Sequence, residues 1–133
     1  PKRLRKLEGS ADAVLIDAPC TGSGALRRRP QARWIARAGD LDQLPRTQRA
    51  LLDRFAPLVR PGGRLIYATC SLFPPENEGV VDAFLAANPA FRRVDIAFDP
   101  PRDETLTPGG CLRTRPDLHG TDGFFAAALV RED

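Results

Sequence analysis

Two of the three cysteines in this 133-residue sequence directly follow short apolar segments. Cys20 comes three residues after Asp17, and Cys70 comes directly after Thr69. A cysteine acts as a nucleophile when it is accessible and a nearby base or helix N-terminus favours its thiolate. Cys70 meets the positional requirement, because a helix start is predicted near Pro75. Both cysteines also have a structural alternative, as a small buried residue at a strand end for Cys70 and as part of an Asp-stabilised turn for Cys20.

The other groups that could do chemistry give weaker signals. Cys111 follows two glycines with no acid or base pattern around it, so we interpret it as structural. His119 is the only histidine and lies in a loop rich in Gly and Pro, which favours a hydrogen-bonded surface role. No Cys-x-x-Cys or Cys-x-x-His pair is present, so no metal site is predicted.

The elements that must position the two cysteines alternate between strand and helix. This alternation predicts an α/β fold with a mostly parallel sheet and a final antiparallel strand. The predicted elements are a buried strand over residues 13–16, a loop over 18–30, an amphipathic helix within 42–59 with Pro45 in its first turn, a stop at Pro61-Gly62-Gly63, a buried strand over 64–69, a helix from near Pro75 to Asn88, a strand over 91–98, one long loop over 99–123 and a strand over 124–130.

The segments Asp17-Ala18-Pro19-Cys20 and Thr69-Cys70-Ser71 each lie where a predicted parallel strand ends. Ligand sites of such sheets lie outside the carboxyl ends of the strands. Asp17, Cys20 and Cys70 are therefore predicted to meet in one crevice, although about fifty residues separate the two cysteines.

Composition and charge narrow the class of protein. Lys and Arg total 20 against 17 for Asp and Glu, a net charge of +3. No apolar run approaches the roughly 18 residues of a membrane span, and an odd cysteine count without secretory features favours a cytoplasmic protein. Local basicity suits phosphate contacts, although an arginine-rich surface without a nucleic acid partner would have the same charge. The basic residues cluster in Lys2, Arg3, Arg5 and Lys6 and in Arg27, Arg28 and Arg29, followed by Arg33 and Arg37.

Four motifs in order resemble the Sun/Fmu family of RNA cytosine-C5 methyltransferases, with the bacterial 16S ribosomal RNA enzymes as the nearest comparison. They are Ile16-Asp17-Ala18-Pro19-Cys20-Thr21-Gly22-Ser23-Gly24, Tyr67-Ala68-Thr69-Cys70-Ser71, Glu76-Asn77-Glu78 and His119-Gly120-Thr121-Asp122-Gly123-Phe124-Phe125. The resemblance covers nearly the whole chain and implies S-adenosylmethionine as cofactor and RNA, most notably ribosomal RNA, as substrate.

The resemblance also implies a role for each site residue. Cys70 matches the cysteine that attacks C6 of cytosine, and Cys20 matches the one that assists release of the methylated product. Asp17 matches the aspartate between the cofactor and the target base. Arg29 and Pro30 resemble the Arg-Pro element of the family, and Arg29 is expected to contact RNA or the cofactor region. Pro19 is expected to contact RNA. The cysteine of the Pro-Cys motif is the nucleophile in DNA cytosine methyltransferases, which would favour Cys20, but the Thr-Cys-Ser element favours Cys70.

One departure from the family pattern is large. The Gly-rich cofactor loop after a first strand, and the acidic residue after a second, are absent from this sequence. Residues 1–133 therefore resemble the C-terminal half of a Rossmann-like class I S-adenosylmethionine-dependent methyltransferase domain, and we expect this piece alone to be inactive. Two other hypotheses are a non-catalytic RNA-binding module and, disfavoured by the lack of Cys-x-x-Cys, a thiol redox protein. The sequence does not indicate the target cytosine or the oligomeric state.

Overall fold

The strands of the protein form a single mixed sheet in a computed structural model that describes residues 2–35, 39–97, 105–107 and 109–133. Within these residues the strands are Ala11–Asp17 (β1), Val59–Thr69 (β2), Phe91–Val94 (β3), Leu112–Thr114 (β4) and Phe124–Arg131 (β5). The helices are Lys2–Arg5 (α1), Ala32–Ile35 (α2), Asp40–Phe55 (α3), Glu78–Ala87 (α4) and Pro116–His119 (α5), with 3-10 turns at Ser23–Ala25, Ala56–Leu58 and Pro74–Glu76.

The sheet has the order β1-β2-β5-β3, and β4 also pairs with β5. β1 and β2 pair in parallel, whereas β5 runs antiparallel to β2, β3 and β4. β5 therefore opposes the common direction of the other described strands. The prediction of an α/β methyltransferase-type sheet with a final antiparallel strand is confirmed.

The core lies between the sheet and the pair of helices α3 and α4. Leu65 and Tyr67 of β2, Leu52 of α3, Phe84 of α4 and Phe125 of β5 are all fully buried. Each such side chain stabilises the fold by about 2 kcal/mol through loss of apolar surface to water. This packing fixes the carboxyl ends of β1 and β2, where the predicted site lies.

β1 is less buried than its apolar sequence predicts. Ile16 is buried, but Leu15 is 67% exposed and Ala13 is also exposed. The reason is that β2 is the one strand paired with β1 among the described residues, so β1 forms the edge of the sheet. Successive side chains of a strand point to opposite faces, and only one face of β1 has a cover.

Two predicted boundaries around α3 and β2 are wrong. Pro61-Gly62-Gly63 does not stop the chain but lies inside β2, where the pairing advances two residues on β1 and five on β2. The turn residues bulge out of the ladder, and Gly62 has a φ of 71°. Pro45 is the sixth residue of α3 rather than part of its first turn, because the acidic Asp40 and Asp42 begin the helix earlier.

Three other predictions need correction in the second half of the chain. Helix α4, predicted to begin near Pro75, begins at Glu78, because the prolines before it form the 3-10 turn Pro74–Glu76. The strand predicted over 91–98 ends at Val94 with the end of its ladder to β5, and the predicted loop over 99–123 contains β4 and α5. Residues 98–104 and 108 of these segments lie outside the described residues, as does Arg37 of the basic cluster.

None of the described helices is both long enough and apolar enough to cross a membrane.

Candidate functional site

The two cysteines meet where β1 and β2 end side by side. The parallel pairing continues past Asp17, because the N–H group of Ala18 donates a hydrogen bond to the carbonyl of Ala68 over 2.9 Å. Each chain then leaves the sheet into a loop that carries one cysteine. The Sγ atoms of Cys20 and Cys70 are 3.4 Å apart, within hydrogen-bonding distance for two thiols. The predicted convergence of the two strand ends is therefore present.

A cavity of about 530 Å³ opens beside the two sulfur atoms. Its lining includes every residue that the sequence analysis singled out for the site, namely Asp17, Pro19, Cys20, Arg29 and Cys70. Asp17, Pro19 and Arg29 are exposed, and the two cysteines are partly buried. The cavity thus combines a carboxylate, a guanidinium and two thiols on a surface that a ligand can reach.

The surroundings of Cys20 disfavour its thiolate. Burial, and next the hydrogen bond with Cys70, raise the pKa of Cys20 to about 12. Two thiols at this separation do not both ionise readily, because two adjacent negative charges repel each other in a poorly solvated site. Cys20 is therefore protonated at neutral pH.

The sequence analysis missed the importance of Glu76, which it names only as part of the motif Glu76-Asn77-Glu78. Its side chain is fully buried and accepts hydrogen bonds from Thr21, Gln48 and Ser71. Gln48 is also fully buried and donates to the carbonyl of Pro19 over 2.9 Å. The helical spacing of Gln48, four residues after Leu44 and four before Leu52, could have revealed this polar residue on the apolar face of α3.

The loop before β5 packs against the loop after β1. Gly123 donates its N–H group to the carbonyl of Gly24, and Gly24 donates to the carbonyl of Cys70, each over 2.9 Å. Arg28 pairs with the buried Asp122 at 3.1 Å. The fourth sequence motif therefore supports the wall of the site and is not part of the cavity lining.

The remaining chemical groups lie elsewhere. Cys111 is buried, which raises the pKa of its thiol, and it accompanies the apolar core residues. His119 accepts a hydrogen bond from the N–H group of Arg115 over 2.8 Å and does not line the cavity. Within the part of the chain that the structure describes, no three His, Cys, Asp or Glu residues form a group that could hold a metal ion.

The family of the chain follows from comparison with known proteins. A family model described as 16S rRNA methyltransferase RsmB/F matches residues 2–130. The chain belongs to this family. The RsmB/F match spans both cysteine loops, so the resemblance predicted from the four sequence motifs is confirmed.

Individual proteins support the same family. The ribosomal RNA small subunit methyltransferase B of Xylella fastidiosa is 44% identical over 122 residues, which are 91% of this chain and 28% of that protein. The crystal structure of PH0851 superimposes with a TM-score of 0.83 at 42% identity, covering 93% of this chain and 27% of that one. The crystal structure of NSun6 from Pyrococcus horikoshii with SFG gives a TM-score of 0.76 at 32% identity, covering 99% of this chain and 33% of that one. This RsmB/F chain thus spans roughly a quarter to a third of the length of these proteins.

Proposed function

We propose that this chain carries the covalent chemistry of an RNA cytosine-C5 methyltransferase that acts on ribosomal RNA, and that it is part of a longer catalytic domain. The observation that carries the proposal is the pair of sulfur atoms, 3.4 Å apart, at a cavity shared with Asp17 and Arg29. Membership of the RsmB/F family supports the methyl-transfer reaction and the RNA substrate. A cytoplasmic location is part of the same proposal.

We assign the nucleophile to Cys70. Carbon C5 of cytosine is a poor nucleophile until a thiolate adds to C6, which converts the C5–C6 double bond into an enamine with electron density on C5. The raised pKa of Cys20 favours its neutral form, which suits a hydrogen-bond donor better than a nucleophile. Cys70 lines the same cavity and follows the Thr-Cys-Ser pattern of the family.

Cys20 has the complementary role of assisting product release. Once C5 carries the methyl group, its proton passes to water, the C6–S bond breaks and the double bond forms again. In the resting chain the Sγ atoms of Cys20 and Cys70 lie 3.4 Å apart. When Cys70 departs as a thiolate, the neutral thiol of Cys20 can donate a hydrogen bond to it. Stabilising the leaving group lowers the barrier to elimination.

Asp17 is the residue of this chain that fits the cofactor. Its carboxylate is exposed at the cavity, so it can accept hydrogen bonds from a bound S-adenosylmethionine or from the amino group of the base. When bound, S-adenosylmethionine supplies the methyl group. The structural neighbour NSun6 was solved with SFG, an analogue of this cofactor, which supports the assignment.

The basic segment after Gly24 supports contact with RNA. Arg29 and Pro19 line the cavity from its exposed side. Nearby in sequence, Trp34 is 78% exposed and the guanidinium of Arg33 lies 4.7 Å from the centre of its ring. Exposed aromatic and arginine side chains stack on unpaired bases and neutralise phosphates.

RNA that contains 5-azacytosine tests the two cysteine roles, because it traps the covalent adduct. The cysteines are replaced singly in a protein that joins this chain to the rest of the methyltransferase domain. We expect Cys70→Ser to abolish the adduct on a denaturing gel. Cys20→Ser should accumulate an adduct even with ordinary cytosine, since release is blocked.

Cys111→Ala is the matched control, because Cys111 is buried away from the cavity, and it should behave as the unmodified protein. Adducts that survive Cys70→Ser and vanish with Cys20→Ser would reverse the assignment. Absence of any adduct together with retained RNA binding would instead favour a non-catalytic RNA-binding module.

A further inference from the structure

The carboxylate of Glu76 connects the loop that carries Cys20 with the loop that carries Cys70 through hydrogen bonds. Its side chain is fully buried. Oε1 accepts hydrogen bonds from the N–H group of Thr21 at 2.9 Å and from Nε2 of Gln48 at 3.1 Å. Oε2 accepts from the hydroxyl of Thr21 at 2.6 Å and from the hydroxyl of Ser71. All four donors are uncharged, and two donors on each oxygen fill the acceptor sites of a carboxylate.

The donors on Glu76 come from three separate segments. Thr21 adjoins Cys20, Ser71 adjoins Cys70, and Gln48 belongs to α3. Their distances from Glu76 in sequence are 55, 5 and 28 residues, so the carboxylate connects parts of the chain that do not follow one another. The two residues that flank the sulfur pair are thereby attached to one group.

Glu76 is itself held in place by the backbone around it. The hydroxyl of Tyr67 donates to the carbonyl of Glu76 over 2.6 Å. Next along the chain, Asn77 accepts from the hydroxyl of Thr69 at 2.6 Å and donates to the carbonyl of Ser71 at 2.9 Å. An anchor fixed on both sides can set the positions of the groups that it binds.

We propose that Glu76 is a positioning residue that sets the separation of Cys20 and Cys70. It does not line the cavity, so it does not touch a ligand there. An apolar side chain would fill the same space, but it could not hold Thr21 and Ser71. For catalysis this inference rests on the proposed roles of the two cysteines.

The tendency of Cys20 and Cys70 to form a disulfide with each other, expressed as the effective concentration of one thiol at the other, measures how closely the two loops hold the sulfur atoms together. In a Cys111→Ala background the chain is equilibrated with reduced and oxidised glutathione. Two protein thiols and one glutathione disulfide then give one Cys20–Cys70 disulfide and two glutathione thiols. The sulfur atoms need to move from 3.4 Å to about 2.05 Å, so the equilibrium depends on how closely the loops hold them. Mass spectrometry quantifies the two forms.

Glu76→Gln is expected to lower this effective concentration at least tenfold. The substitution replaces one carboxylate oxygen, which accepts two hydrogen bonds, with an NH2 group that can only donate. The matched control is Glu78→Gln, the same substitution two residues later at a side chain that pairs with Arg113. The control should stay within twofold of the background. Both variants are measured where circular dichroism shows each to be fully folded, so loss of stability alone does not change the result.

Thr21→Val provides a second variant if Glu76→Gln does not fold. It removes one hydroxyl donor and is expected to lower the effective concentration in the same direction by a smaller factor. If Glu76→Gln folds, an effective concentration equal to that of Glu78→Gln would overturn the proposal. If Glu76→Gln does not fold, an unchanged effective concentration for Thr21→Val would overturn it.

Because this measurement needs neither RNA nor cofactor, failure of the adduct experiment would leave its outcome intact. In a protein with the complete domain, Glu76→Gln should lower kcat at least tenfold with KM changed less than threefold. A change in KM alone would contradict a positioning role.

Discussion

At the residue scale, Cys20 holds its proton tightly beside the second thiol of the site. Burial and the hydrogen bond to Cys70 raise the pKa of Cys20 from its ordinary value of 9.0 to about 12. The folded chain therefore holds the Cys20 proton more tightly than the unfolded chain does. Tighter binding of this proton in the folded chain stabilises the fold, and the stabilisation is fully present below pH 9. It is lost as the pH rises from the ordinary pKa of 9.0 to the folded pKa of about 12.

The loss of this contribution predicts a difference between the unmodified chain and Cys20→Ser from pH 9 to pH 12. The free energy of unfolding should fall more steeply for the unmodified chain, by at most about 1.4 kcal/mol per pH unit for one proton. Urea unfolding at intervals from pH 8 upward measures both curves. Subtracting them removes the contribution of Cys111 and the part of the Tyr67 contribution that burial causes, since the pKa values of both groups are also raised. Parallel curves above pH 9 would contradict the prediction.

At the scale of elements, the site depends on close approach between the loops that follow β1 and β2 and the loop that precedes β5. A Cβ atom on Gly24 would lie 2.0 Å from the carbonyl oxygen of Gly123 and 2.9 Å from that of Cys70. Both neighbours are backbone atoms, which cannot rotate away. The absence of a side chain at Gly24 therefore lets the loops after β1 and β2 and the loop before β5 meet.

Gly24→Ala should destabilise the chain by about 3 kcal/mol, because the backbone must separate to admit a methyl group. Gly22→Ala in the same loop is the comparison. Gly22 has a φ of 70°, but nothing lies within 4 Å of the point that a Cβ atom on it would occupy, so only backbone strain of about 1 kcal/mol is expected. Urea unfolding of the two variants measures the difference. Equal losses would mean that space at Gly24 is not the limiting factor.

The same elements explain which features the sequence could predict. The strand ends at Asp17 and Thr69 were predictable, because short apolar runs followed by turn residues depend on local sequence. The place of Pro61-Gly62-Gly63 inside β2 was not, because it depends on pairing with β1. The hydrogen bonds of Glu76 were also beyond reach, since Thr21 lies 55 residues away and only the folded chain brings it near.

At the scale of the whole molecule, the chain holds the two thiols but little that could hold a nucleotide-like cofactor. The Gly-rich cofactor loop expected from the family pattern is absent from the sequence, and among the described residues Asp17 is the carboxylate that lines the cavity. The relatives are three to four times longer. Catalysis by the isolated chain is therefore not expected.

Calorimetry of the isolated chain with S-adenosylmethionine should give a dissociation constant weaker than about 100 μM, or about −5.5 kcal/mol of binding free energy. The full-length methyltransferase B of Xylella fastidiosa serves as the comparison protein. Micromolar binding to the isolated chain would show that these 133 residues contain a sufficient cofactor site.

In the isolated chain, the described residues leave β1 as an open edge of the sheet, and this edge affects behaviour in solution. A strand with unpaired N–H and C=O groups is a template onto which a further strand can add, and charged side chains are one means of preventing this. On β1 the exposed charges are Asp12 and Asp17, and the segment between them is uncharged, with Leu15 exposed in its middle. Asp12 forms an ion pair with Arg60 over 2.6 Å, which neutralises much of its charge, so Asp17 supplies most of the electrostatic protection of this edge against aggregation.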